Sequence, residues 1–149
     1  MKKSTLAILG NLIIIVILIV SKININSKER IMIKKQNSEY EKYLKDEIYG
    51  TDLITLINKA INSNESNSVG KDEKGNFISN NFNSINIDIV MITDEEKQET
   101  KSYKMEAISK VGISSFITNF NTVKFKCTKL EYHKSTGKIK YIELTQQTI

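Results

Sequence analysis

Residues 6–20 carry no charged side chain, and only Gly10 and Asn11 interrupt their strong apolarity. A helix apolar on every side has no place on the surface of a small fold; it needs a large core or lipid around it. Lys2 and Lys3 precede the run and Lys22 follows it. A basic lead and an apolar stretch of this length fit a secretory signal and a short membrane anchor equally well. Cleavage separates the two, because signal peptidase needs small residues at −3 and −1. Ser21 at −1 would put Ile19 at −3, and Ser27 would put Ile25 there. The sequence therefore predicts an uncleaved signal-anchor over residues 1–21, touching membrane lipid through residues 5–21. The expectation is a single-pass protein of the cell membrane.

Charge follows that division. Residues 1–36 hold seven basic side chains against Glu29 alone, a balance of +6, which leaves −1 for the rest of a chain totalling +5. Positive charge collected beside an apolar segment suits anionic headgroups. Lys124, Lys126, Lys129, Lys134, Lys138 and Lys140 lie near the C-terminus, but no arginine is interleaved with them, so no nucleic-acid partner is expected. Orientation draws on two opposed rules. Two basic residues before the segment and five after it point the remaining chain inward. A very short basic tail ahead of a first apolar segment points it outward. The reading taken is an extracytoplasmic domain, with a cytoplasmic-facing one as the alternative.

Residues 22–36 read as a basic juxtamembrane linker and residues 37–149 as one soluble domain, long enough to bury a core. Tyr40, Tyr43, Leu44 and Ile48 recur at helical steps, Gly50 interrupts them, and Thr51 is placed to cap a new turn. Leu53, Ile54, Leu56, Ile57, Ala60 and Ile61 then form a wide apolar stripe. It exceeds the ~100° that a globular helix usually buries, so the surplus is expected to meet another chain. Residues 62–75 read as a polar loop. A short strand is expected at 75–78, and a half-buried one where Ile85, Ile87, Ile89 and Met91 alternate with polar residues. Residues 94–104 read as a charged loop or the start of a helix. Met105 and Ile108 lead into Ile113, Phe116, Ile117 and Phe120, which keep helical spacing, with a break at Gly112. Two final strands, 123–132 and 139–144, face each other across a turn ending at Gly137, with a phase slip near Thr128 and Lys129 that predicts a β-bulge. The fold class expected is α+β: the N-terminal transmembrane helix and an amphipathic helix, then a small antiparallel sheet of about four strands with a second helix, in the order α-β-β-α-β-β.

Little in this pattern carries chemistry. Ser135-Thr136-Gly137-Lys138 looks like part of a phosphate loop but joins two strands and lacks the first glycine, so it reads as a turn. Asp94, Glu95 and Glu96 are adjacent and diverge on any regular element; Asp72 and Glu73 lack calcium-loop spacing. Tyr40, Tyr43 and Tyr49 read as helix-face packing. Cys127, the single cysteine, reads as a small strand residue, and its one candidate base, His133, falls in the turn at the far end of the same strand. No acid–base pair is evident, so no enzyme activity, catalytic residue, cofactor or metal is expected.

A basic tail, an apolar helix, a helical extension over residues 37–62 and a small antiparallel sheet together resemble a pilin or pseudopilin. Residues 49–61, YGTDLITLINKAI, are similar to a stretch just after the membrane helix in small pilus-locus-like proteins of Gram-positive bacteria. Type IV prepilins are cut after a glycine, with glutamate fifth in the mature chain. Here Ile15 stands fifth after Gly10, so no processing site is carried over. The resemblance implies a membrane-anchored structural or assembly component of a cell-surface complex, with protein partners or self-association. The alternative is a bitopic accessory or sensor protein whose domain binds a ligand or partner.

Overall fold

The computed structural model describes residues 3–94, 96–97 and 99–148, with side chains throughout that set except at 3–16, 19, 23, 24 and 113. The chain forms two compact units, Met1–Lys35 and Gln36–Ile149. The first lies almost entirely in α1, a helix over Lys3–Glu41 that includes the linker expected at 22–36. The anchor expected over residues 1–21 falls mostly on side chains outside the described ones. Among the described residues no helix is long and apolar enough to cross a membrane.

The second unit is α+β. After the end of α1 come β1 (Ile48–Tyr49), α2 (Gly50–Ser66), β2 (Asn86–Asp94), β3 (Glu99–Lys104), α3 (Met105–Val111), α4 (Ile113–Phe120), β4 (Lys124–Tyr132) and β5 (Ile139–Gln146). The strands make one sheet in the order β1-β4-β5-β2-β3. The expected sheet of about four antiparallel strands, in the order α-β-β-α-β-β, is thus corrected to a mixed sheet with five strands among the described residues, one of them (β1) ahead of α2. Both hairpins are antiparallel, but they join through β2 and β5, which run parallel with Ile87 beside Ile142 and Ile89 beside Leu144. It follows that β3 and β4 point the same way, so the chain between them must travel back along the sheet. The α3–α4 pair makes that return, bending at Gly112 (φ 96°) where the sequence places the break.

Three local expectations also change. Residues 94–104 hold edge strand β3, exposed along nearly its whole length. Residues 75–78 form no strand and contribute one bridge, between Lys71 and Phe77. Thr51 does not cap α2; Tyr49 occupies the cap position, with no side-chain hydrogen bond to the helix. The final hairpin keeps its expected form, with a register shift between Cys127 and Lys129 and with Gly137 at φ 71°.

The apolar stripe of α2 forms the centre of the core. Leu53, Leu56, Ile57 and Ala60 are fully enclosed, Ile54 nearly so, and Ile61 is half-buried. The sheet covers one side, α3 and α4 another, and Tyr40 packs into the same cluster. The surplus apolar surface expected to meet another chain is therefore consumed inside the domain. A stripe's width tells how much of a helix is buried, not what buries it.

The helix also runs further than the polar sequence suggests, through residues 62–66. Its last turn carries Asn64, fully buried, whose amide donates to the Ile85 carbonyl (2.7 Å) and accepts from the Ile85 N–H (2.8 Å). One side chain thus satisfies both backbone groups where the chain turns into β2. Beyond it, Ser68 (φ 53°) is left-handed, with Ser68 N–H bonded to Glu65 O and Val69 N–H to Asn64 O. That pair of bonds is the helix-ending motif glycine usually completes, because serine's Cβ crowds the following carbonyl. Ser68→Gly is expected to stabilise the domain by about 0.5–1 kcal/mol, read from denaturant midpoints at unchanged slope. A lower midpoint would show that the turn is not left-handed.

Candidate functional site

The last residues of α1 are built into the second unit. Asn37 donates from its amide to the Gly137 carbonyl (2.8 Å) and accepts from the Ile139 N–H (3.1 Å), clamping the tip of the β4–β5 hairpin. Tyr40 is buried with its hydroxyl on the Lys59 carbonyl, and burial pushes its pKa up to about 12. Lys59 pairs with Glu39, and Glu41 accepts from the Tyr132 hydroxyl at 3.0 Å.

The hairpin tip is also stitched to residues 80–84. Asn80 folds that turn on itself, its side-chain Oδ1 accepting from the N–H groups of Phe82, Asn83 and Ser84. Thr136 then donates to the Phe82 carbonyl (2.9 Å), and Ser135 to that of Asn81. His133 is buried with Nε2 2.8 Å from the Ser84 carbonyl. A carbonyl only accepts, so Nε2 carries the proton. The Ser-Thr-Gly-Lys run is therefore a turn that uses its hydroxyls to hold a neighbouring loop.

Between turn and hairpin lies a cleft of about 480 Å³, lined by Phe82, Glu131, Tyr132, His133, Lys134 and Lys140 among others. Phe82 is 61% exposed and Tyr132 43%. Glu131 is taken by Lys129 at 2.8 Å, and that contact, with a smaller contribution from Lys140, holds its carboxyl below the usual range. Among the described residues Lys134 and Lys140 form no ion pair.

A second cleft, about 350 Å³, lies where the 72–79 turn meets the start of β2 and includes Asp72, Asp88, Lys104, Glu106 and Tyr141. Its acids are already engaged. Asp72 accepts from Asn76 and Lys74, Glu106 from the Phe77 N–H, and Asp88 from the Tyr141 hydroxyl. The bonds from Asn76 hold Asp72 below the usual carboxylate range. Burial, then Asp88, raises the Tyr141 phenol well above its ordinary value. Among the described residues no group of three or more His, Cys, Asp or Glu is arranged to hold a metal ion.

The residues singled out in the sequence fall apart in space or serve structure. Cys127 is half-buried beside the Lys129 carbonyl, and burial raises its thiol pKa, which disfavours the reactive thiolate. His133 is committed to Ser84. Asp94 accepts from the Lys97 N–H and caps its own turn, which lowers its pKa. Tyr43 packs against the core as expected, whereas Tyr49 lies exposed on β1. The aromatic–lysine cleft was missed; its visible signal is a lone phenylalanine inside the polar run Ser79-Asn-Asn-Phe82-Asn-Ser84. No family model, curated protein or solved structure matches this chain.

Proposed function

We propose that this protein is a membrane-anchored structural or assembly component, with residues 1–21 as an uncleaved anchor and residues 37–149 as an extracytoplasmic domain without chemistry of its own. The observation that carries the reading is the end of α1. Asn37, Glu39, Tyr40 and Glu41, which follow the expected linker directly, are each bonded or buried in the domain. That arrangement suits a component whose task is to present a surface, and it supports the likeness to pilin-like subunits. The aromatic–lysine cleft favours a second reading, a bitopic accessory protein whose domain binds a partner.

Fractionation and intact mass test the anchor. The protein is expected in the membrane fraction, resistant to carbonate extraction, with residues 1–21 retained. External protease should degrade the domain in intact cells. A released product beginning near Lys22 or Lys28 would overturn the anchor. A protected domain that degrades only after lysis would reverse the orientation.

A further inference from the structure

We propose that the cleft between the 80–84 turn and the β4–β5 hairpin binds an extended peptide segment of a partner protein, in which an acidic side chain neighbours an apolar one. The proposal rests on the reading that the domain works by binding another protein, and it names the chemistry of that partner.

Three features of the cleft converge. Its walls are fixed, because Asn80 closes the turn through three backbone N–H groups while Ser135, Thr136 and His133 tie the hairpin to it. On these walls stand two aromatic rings in water, Phe82 at 61% and Tyr132 at 43% exposure. A polar turn held this firmly has no packing use for a phenylalanine that points out of it. Exposed rings of this type are the usual anchors of protein interfaces. The third feature is charge: Glu131 is paired with Lys129 and only weakly drawn by Lys140, and among the described residues neither Lys134 nor Lys140 is held in an ion pair. An apolar side chain on the rings and a carboxylate on the lysines satisfy both at once.

The shape selects a peptide over a lipid surface carrying the same negative charge. About 480 Å³ falls within the range of side-chain and small-ligand pockets, and a bilayer face is flat on that scale. A segment in extended form can lower one side chain into a cleft while its neighbour stays at the rim.

The test uses the purified full chain and a fluorescent decapeptide of alternating Leu and Glu, with binding followed by anisotropy. Saturable binding is expected. Lys134→Glu with Lys140→Glu should weaken it at least tenfold and create affinity for the matching Leu–Lys peptide. Phe82→Ala should weaken it at least fivefold. Lys126→Glu, an exposed lysine of β4 outside the cleft lining, should leave it within twofold. Should Phe82→Ala unfold, the lysine substitutions, which break no ion pair, decide the matter. Absence of saturable binding, or binding indifferent to Lys134 and Lys140, overturns the proposal. So does a result in which short-chain phosphatidylglycerol, and not the peptide, binds through those lysines. Membrane fractionation judges the anchor separately, so failure of the cleft and failure of the anchor are distinguishable.

Discussion

Gly50→Ala is expected to cost upward of about 3 kcal/mol and to leave the domain barely folded, while Gly70→Ala changes stability by less than about 1 kcal/mol. The reason is a backbone crossing. A methyl group on Gly50 would lie 2.0 Å from the carbonyl oxygen of Phe120 and 2.7 Å from its carbon, distances that real side chains do not reach. The obstacle is main chain at the end of α4, so no rotamer change relieves it. Nor can α2 shift freely, because Leu53, Leu56 and Ile57 are enclosed a turn or two further on, and Gly50 N–H is bonded to the Val123 carbonyl at 3.1 Å. Gly70 has open space where its Cβ would be and a backbone angle that alanine accepts. Denaturant unfolding of residues 36–149 carrying each change checks this. Equal stability of the two variants would mean that α2 and α4 do not cross at Gly50. The total stability of a domain this size is about 5–15 kcal/mol, so the difference is easily resolved.

That crossing shows where reading the sequence stops. Gly50 was visible as an interruption of a helical run, but its cause, a carbonyl seventy residues away in sequence, is a tertiary fact. Period-two alternation made β2 and the final hairpin legible, because each buries one face: Ile87, Ile89 and Met91 on β2, Ile142 and Leu144 on β5. The bulge was legible for the same reason, since an extra residue breaks the alternation. β3 offered no such signal. Glu99-Thr-Lys-Ser-Tyr-Lys104 is an edge strand, wet along nearly all its length, and its lysines guard that edge against pairing with other chains. β1 is two residues long, too short for any period to appear. The parallel joining of the hairpins is likewise invisible locally, since either strand of each hairpin could have faced the other.

The cleft belongs to the same class of hidden feature. Residues 80–84 and 133–138 are each readable as turns, yet nothing in either run says that Thr136 will hold the Phe82 carbonyl. What was readable is the oddity of Phe82 among asparagines. That exposed ring, in a turn whose backbone is satisfied by Asn80, is the feature on which the proposed peptide cleft rests. The α2 stripe led the other way, towards a partner that the domain itself replaces.

The second large effect concerns the sheet. Phe125→Ala is expected to destabilise the domain by about 3–5 kcal/mol, and Lys126→Ala by no more than about 0.5 kcal/mol. Phe125 has no exposed surface, and it stands where β4 is flanked on both sides, opposite Ile48 on β1 and Gln146 on β5. Removing its ring would empty the core between α2 and the sheet at a point where two strands and the helix above them all lose packing. Lys126, one residue on, projects from the other face and is exposed. The pair therefore tests strand register as well as burial, because a slip of one residue exchanges their environments. Urea titrations of residues 36–149 should show the Phe125 variant unfolding at a far lower midpoint with the same slope, and the Lys126 variant superimposing on the parent. Two variants equally destabilised, or a larger loss at Lys126, would mean that β4 is paired in another register. The short β1 strand would then lose its partner as well, since Ile48 and Tyr49 pair only with Phe125 and Lys124.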